Sequence, residues 1–311
     1  MADRPAPAAP PSDAPIFEEE IAIAGTPAPA RISGAAFAAL LVGNSVLACG
    51  PWLVRMADVG PIASGFWRLM LAVPFLIVIA ARTDRAAPRP GGGALLVVAI
   101  AGLLFALDLA AWHSGILRTR LANAALFGNV SSFFFATYGF IVARALPDRR
   151  QTVALLLAGL GTALLLGRSY ELSAAHLAGD VLCLFAGLAY AGYMIAIDRG
   201  RGQLGTWTTL AVATIAAAAA LLPAALLLEG AIWPHRWGPL LALAIGSQVV
   251  GQGLLIYTIR VLPPLVVGLG QLSQPMIGAT IGWLAFHERL TTPDIAGAIA
   301  IATALLLMRR R

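Results

Sequence analysis

Two long apolar runs with a common register stand out in this sequence. Residues 117–144 and residues 262–289 begin 145 positions apart, and each run ends on an arginine. Both are longer than the roughly 20 apolar residues that cross a bilayer as a helix. Asn129 and Gln274 occupy the same place in the two runs, which predicts an amide at the same depth of each copy. We therefore interpret the protein as two copies of one membrane-spanning unit whose polar middles face each other.

Composition supports a membrane location. Hydrophobic residues make up 59% of the 311-residue chain and charged residues only 12%, whereas an ordinary soluble domain has about 25% charged residues. The basic residues are all arginines, and they gather at the ends of apolar segments, where they set orientation. No basic surface with interleaved aromatics is visible, so we expect no nucleic-acid partner. The lipid bilayer is the expected environment.

Ten segments are apolar and long enough to predict transmembrane helices. Short links join them, so consecutive helices are expected to be antiparallel neighbours. The predicted fold is an all-α membrane protein with ten transmembrane helices arranged as two inverted five-helix repeats, residues 33–168 and 177–309. Residues 1–32, rich in alanine and proline, are expected to form a disordered cytoplasmic tail. The expected spans are 34–54, 62–82, 92–112, 121–143, 151–167, 179–197, 207–228, 239–259, 264–286 and 293–308.

Arginine counts on alternate sides of these spans predict the orientation. With the N-terminus inside, fourteen arginines fall on the inner side and six on the outer side, so both termini are expected in the cytoplasm. Because each repeat has five spans, an odd number, its second copy must enter the membrane from the opposite side. Inverted repeats of this kind are typical of secondary transporters that work by alternating access. Duplication without alternation, as in some channels and structural bundles, is the alternative.

The turn that closes the second run carries a family resemblance. Residues 287–290, His-Glu-Arg-Leu, resemble the Gly-Glu-Arg-Leu turn of bacterial proteins with two EamA-like domains, within the drug/metabolite transporter superfamily. Residues 143–146 of the first copy keep the arginine but lack the glutamate. The resemblance covers residues 33–309 and implies a carrier of the bacterial inner membrane, most often an exporter, with a central cavity between two halves. Members of the family move amino acids, aromatic compounds, nucleotide-linked sugars, vitamins and drugs, so the resemblance does not select a substrate.

Two ionisable residues lie inside expected spans at similar depth. Arg68 is about six residues into the second span and Asp108 about four residues from the end of the third, within about 10 Å of the outer edge of the hydrocarbon. As an ion pair they would form an outer gate or a site for a zwitterionic or charged substrate, with Trp112 as a wall of the outer mouth. A structural pin between two helices is the alternative. Asp108 is interpreted as the only acid clearly inside a span, so proton coupling is a third interpretation.

Amides, hydroxyls and aromatic rings gather near mid-depth in five different spans. Buried amides cost free energy unless they are hydrogen-bonded, so each one serves either a substrate or an interhelical bond worth about 0.6 kcal/mol. Because they share one depth, we expect a pocket for a small neutral or zwitterionic solute with an apolar part. The candidate substrate-binding residues are Asn44, Asn129, Tyr190, Tyr193, Gln248, Gln252 and Gln274.

No enzyme motif accompanies these residues. The His287-Glu288 pair has no second histidine four positions after the first, as the HExxH zinc motif requires, and no Gly-x-Ser-x-Gly elbow occurs. We expect no catalytic site, no cofactor and no metal, and no filter of charges or carbonyls indicates a channel. The sequence therefore predicts an exporter of a small metabolite such as an amino acid. A multidrug or cationic-compound exporter is the alternative, and the oligomeric state is left open.

Overall fold

The structure, a computed structural model, describes residues 33–85, 87, 91–167, 173–200, 203–286 and 290–309. Two sequence features lie outside these residues: the expected tail of residues 1–32 and the first three residues of the His-Glu-Arg-Leu turn. Within the described residues the fold consists of α-helices and one π-helical segment, without a β-strand.

Each expected span coincides with one helix, or with consecutive helices, to within four residues. The helices of the first half are α1 (Gly34–Ala48), α2 (Gly50–Met56), α3 (Pro61–Thr83), α4 (Gly92–Ile116), α5 (Leu121–Gly128), α6 (Val130–Ala143) and α7 (Arg149–Gly167). Those of the second half are α8 (Leu177–Gly200), α9 (Thr206–Leu228), α10 (Trp237–Ala242), the π-helical segment π1 (Leu243–Gly251), α11 (Gln252–Val261), α12 (Pro264–Gln271), α13 (Ser273–Phe286) and α14 (Thr292–Arg309).

Eight helical stretches of the described chain are long and apolar enough to cross a membrane. The chain is therefore a multi-pass membrane protein. The two further predicted spans are the pair α12 and α13 and the helix α14, whose apolar part Thr292–Met308 is shorter. The eight stretches are Gly34–Met56, Pro61–Thr83, Gly92–Ile116, Asn123–Ala143, Arg149–Gly167, Leu177–Gly200, Thr206–Leu228 and Trp237–Val261.

The offset between the two halves changes along the chain. α3 and α9 begin 145 residues apart, as do α4 and α10, which agrees with the sequence prediction. α5 and α12 begin 143 residues apart, because the link before α12 is two residues shorter than the link before α5. The expected pairing of Asn129 with Gln274 is therefore wrong. Leu272 is the counterpart of Asn129, and Ser131 is the counterpart of Gln274.

Three of the expected spans are interrupted by a helix break. α1 gives way to α2 at Cys49, α5 to α6 at Asn129, and α12 to α13 at Leu272. Pro51 accounts for the first break, because proline has no N–H to donate to the carbonyl four residues back. The Cys49 N–H instead closes a tighter turn onto the Val46 carbonyl at 3.2 Å. Such breaks bring backbone carbonyls and polar side chains together inside the apolar core.

The two halves pack through corresponding surfaces. α3 packs against α9 and α7 against α14, so equivalent helices meet each other. α4 packs against α8, and the equivalent contact of α1 is with π1 and α11. Glycines permit the close approach that is usual between membrane helices: a Cβ on Gly102 would lie 2.4 Å from the Ala213 carbonyl oxygen. The core formed by α1, α3, α4, α8, α9 and the π1–α11 segment holds most of the candidate site.

Candidate functional site

A cluster of three amides lies where α1, α12 and α13 meet. Asn44 is buried, and its Nδ2 donates to the Gly270 carbonyl at 3.1 Å. Its Oδ1 accepts from Gln274 Nε2 at 3.0 Å, and the same nitrogen donates to Gln271 Oε1 at 2.8 Å. The break at Leu272 lies between the two glutamines. We call Asn44, Gln271 and Gln274 the amide cluster.

An aromatic ladder continues from the amide cluster through α8 to α4. Gln271 of the amide cluster contacts α8, where its Nε2 donates to the Met194 sulfur at 3.0 Å. Tyr193 stacks on Phe105 with ring centroids 4.7 Å apart, and Tyr190 lies 5.6 Å from Tyr193. Gln252 on α11 contacts both hydroxyls: it donates to Tyr190 at 3.1 Å and accepts from Tyr193 at 3.5 Å. We call Phe105, Tyr190, Tyr193 and Gln252 the aromatic ladder.

Arg68 and Asp108 lie beside this ladder. Arg68 is 4% exposed, and its guanidinium carbon is 5.8 Å from the centre of the Phe105 ring. Asp108 follows Phe105 by one turn of α4 and is 9% exposed. The two side chains interact electrostatically with each other, yet no nitrogen–oxygen contact within 4.0 Å joins them in the described structure. The structure brings them together as neighbours without a direct ion pair.

The other three candidates lie apart from the ladder. Gln248 on π1 is fully buried and donates to the Thr214 hydroxyl on α9 at 3.0 Å. Asn129 donates to the Ala125 carbonyl at 2.6 Å, so the helix break satisfies this amide within its own segment. Trp112 is half-buried between α2 and α5. The structure thus unites five of the seven predicted binding residues: Asn44 and Gln274 in the amide cluster, and Tyr190, Tyr193 and Gln252 in the aromatic ladder. It adds Gln271 to the amide cluster.

Two further acids are buried in α8. Asp180 accepts from the Thr119 hydroxyl at 2.6 Å and from Asn123 Nδ2 at 3.1 Å. Asp198 accepts from the Tyr138 hydroxyl at 2.9 Å. Asp108 is therefore accompanied by two buried acids that sequence reasoning did not single out. Both residues lie in end turns of α8, where donors from the first half compensate for burial of the carboxylates.

Sequence reasoning also missed a pair of carboxylates at the ends of α3 and α9. Glu229 follows α9 and lies over the first turn of α3. Its Oε1 accepts from the Ile62 N–H and its Oε2 from the Ala63 N–H, both at 2.8 Å. The first N–H groups of a helix have no intrahelical partner and carry the positive end of the helix dipole. A carboxylate is therefore well suited to this position.

Asp84 makes the same kind of contact at the opposite end of the helix pair. It follows α3 and lies over the first turn of α9, where its Oδ2 accepts from the Thr208 N–H at 2.7 Å and from the Thr208 hydroxyl at 2.9 Å. Asp84 and Glu229 are 145 residues apart and so are equivalent in the two halves. Because each helix ends beside the first turn of the other, α3 and α9 are antiparallel.

A glycine makes room for each carboxylate. A Cβ on Gly60 would lie 2.3 Å from the carboxyl carbon of Glu229, and one on Gly205 would lie 2.1 Å from that of Asp84. Each glycine is the N-cap residue of its helix. We call each set of carboxylate, glycine and helix first turn a clasp: the Glu229 clasp and the Asp84 clasp. The repetition of an acid and a glycine at the 145-residue offset is the sequence signal that could have revealed them.

Additional contacts surround the Glu229 clasp. Trp67 Nε1 donates to the Ile232 carbonyl at 2.6 Å, and its ring centroid lies 5.1 Å from that of Trp233 and 5.0 Å from that of Trp237. The link that carries Glu229 is therefore fastened to α3 by an aromatic cluster as well as by the carboxylate. The Asp84 clasp instead borders a cavity of about 360 Å³ that is also lined by Trp207 and Tyr257.

Known proteins share this architecture. The model of the EamA-like transporter family matches residues 33–167 and again residues 177–310, one match to each half. A protein of Archaeoglobus fulgidus, described as an uncharacterized transporter, is 26% identical over 267 residues, which cover 81% of this chain and 89% of the relative. A solved crystal structure superimposes with a TM-score of 0.72 over 88% of this chain and 95% of that chain. At 16% identity, this last match shows the fold alone.

Fold and site together define a membrane transporter built from two related halves. The chain belongs to the EamA-like transporter family, since the two matches cover most of its length. Membership confirms the resemblance seen in the sequence. Its function therefore concerns the binding and movement of a solute across the membrane.

Proposed function

We propose that the protein is a secondary transporter of the bacterial inner membrane that exports a small metabolite, such as an amino acid, by alternating access. The observation that carries this proposal is the antiparallel pairing of α3 with α9, which are equivalent helices of the two halves. A five-span unit that is repeated with inverted topology produces such a pairing. Ten spans with both termini in the cytoplasm, and one repeat in each half, complete the proposed topology.

The two clasps supply a physical basis for alternation. In the proposed orientation the Glu229 clasp lies at the outer end of α3 and the Asp84 clasp at its inner end. Access from one side then requires release of the clasp on that side while the other stays closed. Hydrogen bonds to charged acceptors contribute about 1.5–3 kcal/mol each, so loss of one clasp changes the population of a state by tenfold or more.

The substrate lies between the clasps, against the amide cluster and the aromatic ladder. This region offers amides, tyrosine hydroxyls and aromatic faces, with one buried arginine and one buried aspartate beside them. A zwitterion fits this combination, because Arg68 is placed to attract a carboxylate and Asp108 an ammonium group. Alternatively, Asp108 binds a proton instead of an ammonium group, and export is then coupled to proton entry.

The experiment that tests the proposed function is counterflow of radiolabelled amino acids in proteoliposomes. We expect saturable uptake that is accelerated by unlabelled substrate inside, and a KM raised at least about tenfold by Gln252→Leu, which removes the bonds to both tyrosines. Thr280→Val is the matched control, because its hydroxyl is exposed and bonds only to its own helix at Met276. Flux that neither saturates nor shows acceleration would indicate a channel.

The same assay tests the acidic position. Asp108→Asn should abolish any dependence of export on a pH gradient while binding of a zwitterion weakens. Saturable counterflow of cationic drugs without counterflow of amino acids would replace the amino-acid proposal with multidrug export.

A further inference from the structure

A cavity of about 450 Å³ lies between α1, the α10–π1 segment and α13. It is lined by residues other than those of the amide cluster, the aromatic ladder and the clasps. Its lining is apolar except for the side chains of Ser45, Cys49 and Ser247. The volume falls within the range of small-molecule pockets, about 300–1,000 Å³. The proposed transport function does not require this cavity.

Two helix irregularities form its walls. One is the break between α1 and α2 at Cys49, and the other is π1, which contributes Gly246 and Ser247. The equivalent stretch of the first half, residues 98–106, is regular α-helix within α4. π-Helical segments are rare and occur frequently at functional sites. The π-helical segment therefore occurs in only one of these two equivalent stretches, the one that forms a wall of the cavity.

One hydroxyl in the cavity lacks a hydrogen-bond partner. Ser247 is 1% exposed, and its Oγ makes no hydrogen bond among the described residues. Ser45 differs, because its hydroxyl donates to the Leu41 carbonyl at 2.8 Å. A buried polar group without a partner is unfavourable and uncommon in native proteins. A ligand group that bonds to Ser247 would remove this cost, whereas the acyl chain of a lipid would not.

We propose that this cavity binds an uncharged, mainly apolar molecule that carries a single hydroxyl or carbonyl group, hydrogen-bonded to Ser247. An ionised ligand is excluded because no charged side chain lines the cavity and burial of an unpaired charge is costly. The contacts with Ile277 and Ile281 hold the apolar body, and Ser247 sets its orientation.

The test is photolabelling of the full-length protein in lipid nanodiscs with a diazirine analogue of 1-octanol, followed by peptide mass spectrometry. We expect saturable adducts within residues 45–53 and 242–247. At equal bilayer concentrations, 1-octanol should displace the reagent about two- to tenfold more effectively than octane, the factor expected for one neutral hydrogen bond.

Two serine variants complete the test. Ser247→Ala should abolish the advantage of octanol over octane. Ser64→Ala removes another buried hydroxyl without a described partner, on α3 and outside the cavity, and should preserve that advantage. Labelling that rises linearly with reagent and is confined to exposed residues such as Leu241 and Ile245 would overturn the site. Equal displacement by octane would overturn the role of Ser247 and assign the cavity to lipid chains.

Discussion

The Glu229 clasp and the Asp84 clasp consist of the same parts but are held together by different sets of contacts. Glu229 accepts from the backbone N–H groups of two successive residues, and an aromatic cluster around Trp67 holds the same link against α3. Asp84 accepts one N–H and one hydroxyl, both from Thr208, and borders a cavity of about 360 Å³. The two ends of the α3–α9 pair therefore differ in the contacts that must break before the helices can separate at that end.

Unequal contacts at two equivalent helix ends allow a symmetric architecture to favour one conformation. With two identical halves, clasps included, the two open states of an inverted repeat would have equal free energies. The additional contacts of the Glu229 end make the Asp84 end easier to open. In the proposed orientation, we therefore expect the resting protein to favour access from the cytoplasm, which would suit an exporter.

The largest effect is expected from removal of each carboxylate. Glu229→Ala should lower the free energy of unfolding by about 2–3 kcal/mol, since two charge-assisted hydrogen bonds are lost and two N–H groups are left uncovered. Asp84→Ala should cost about 1 kcal/mol less, because the Thr208 hydroxyl can bond elsewhere. Denaturant titration of the purified protein in detergent measures both values. Equal losses would remove the asymmetry between the clasps.

A smaller effect is expected at the two N-cap glycines. Gly60→Ala and Gly205→Ala each place a Cβ against a carboxylate, which can move away only by giving up its hydrogen bonds. We expect about 1–2 kcal/mol of destabilisation from each. Combination with the carboxylate variant of the same clasp should be non-additive, and combination across the two clasps additive.

The matched control for these glycines is Gly91→Ala. Gly91 is the N-cap residue of α4, and a Cβ there would meet no atom within 4 Å. The unfolding free energy of the Gly91→Ala variant should stay within about 0.5 kcal/mol of the parent value. Coupling between the Gly60 and Gly205 variants would show that the two clasps are not independent.

The helices are predictable from the sequence, and so are the five of the seven candidate residues that the structure brings together, because long apolar segments and mid-depth polar residues are local signals. The amide of Asn129 was misplaced for two reasons. A link two residues shorter in the second half shifts the register, and a helix break gives this amide a local acceptor at Ala125. Both effects depend on turn geometry that hydropathy does not report.

The clasps were missed for another physical reason. Asp84 and Glu229 stand at helix ends, where an acid in a sequence is usually solvated. Their role arises only when the first turn of a distant helix lies beside them, 124 residues away in one case and 166 or 167 in the other. Inverted repeats provide that information indirectly, since an acid and a glycine that recur at one offset indicate a reciprocal contact.

The smallest effect is expected from a single hydrogen bond in the Asp84 clasp. Thr208→Val removes the hydroxyl donor but keeps the backbone donor and the shape of the side chain. We expect a loss of about 0.5–1.5 kcal/mol, with no change at the Glu229 end. Thr83→Val is the control at the same end, because its exposed hydroxyl bonds to the Ile79 carbonyl of its own helix.

The most direct measurement is the accessibility of equivalent positions behind the two clasps. Ser64 and Thr209 are equivalent, buried, and one turn inside the Glu229 and Asp84 clasps. Each is replaced by cysteine in a chain whose Cys49 and Cys183 have been changed to serine. An impermeant maleimide is then applied to either side of oriented vesicles.

We expect Glu229→Gln to raise labelling at position 64 about tenfold, from one side only, and to lower it at position 209. Asp84→Asn should do the reverse from the other side. If both variants raised labelling at the same position, or at both positions together, the clasps would not control alternate faces of the protein.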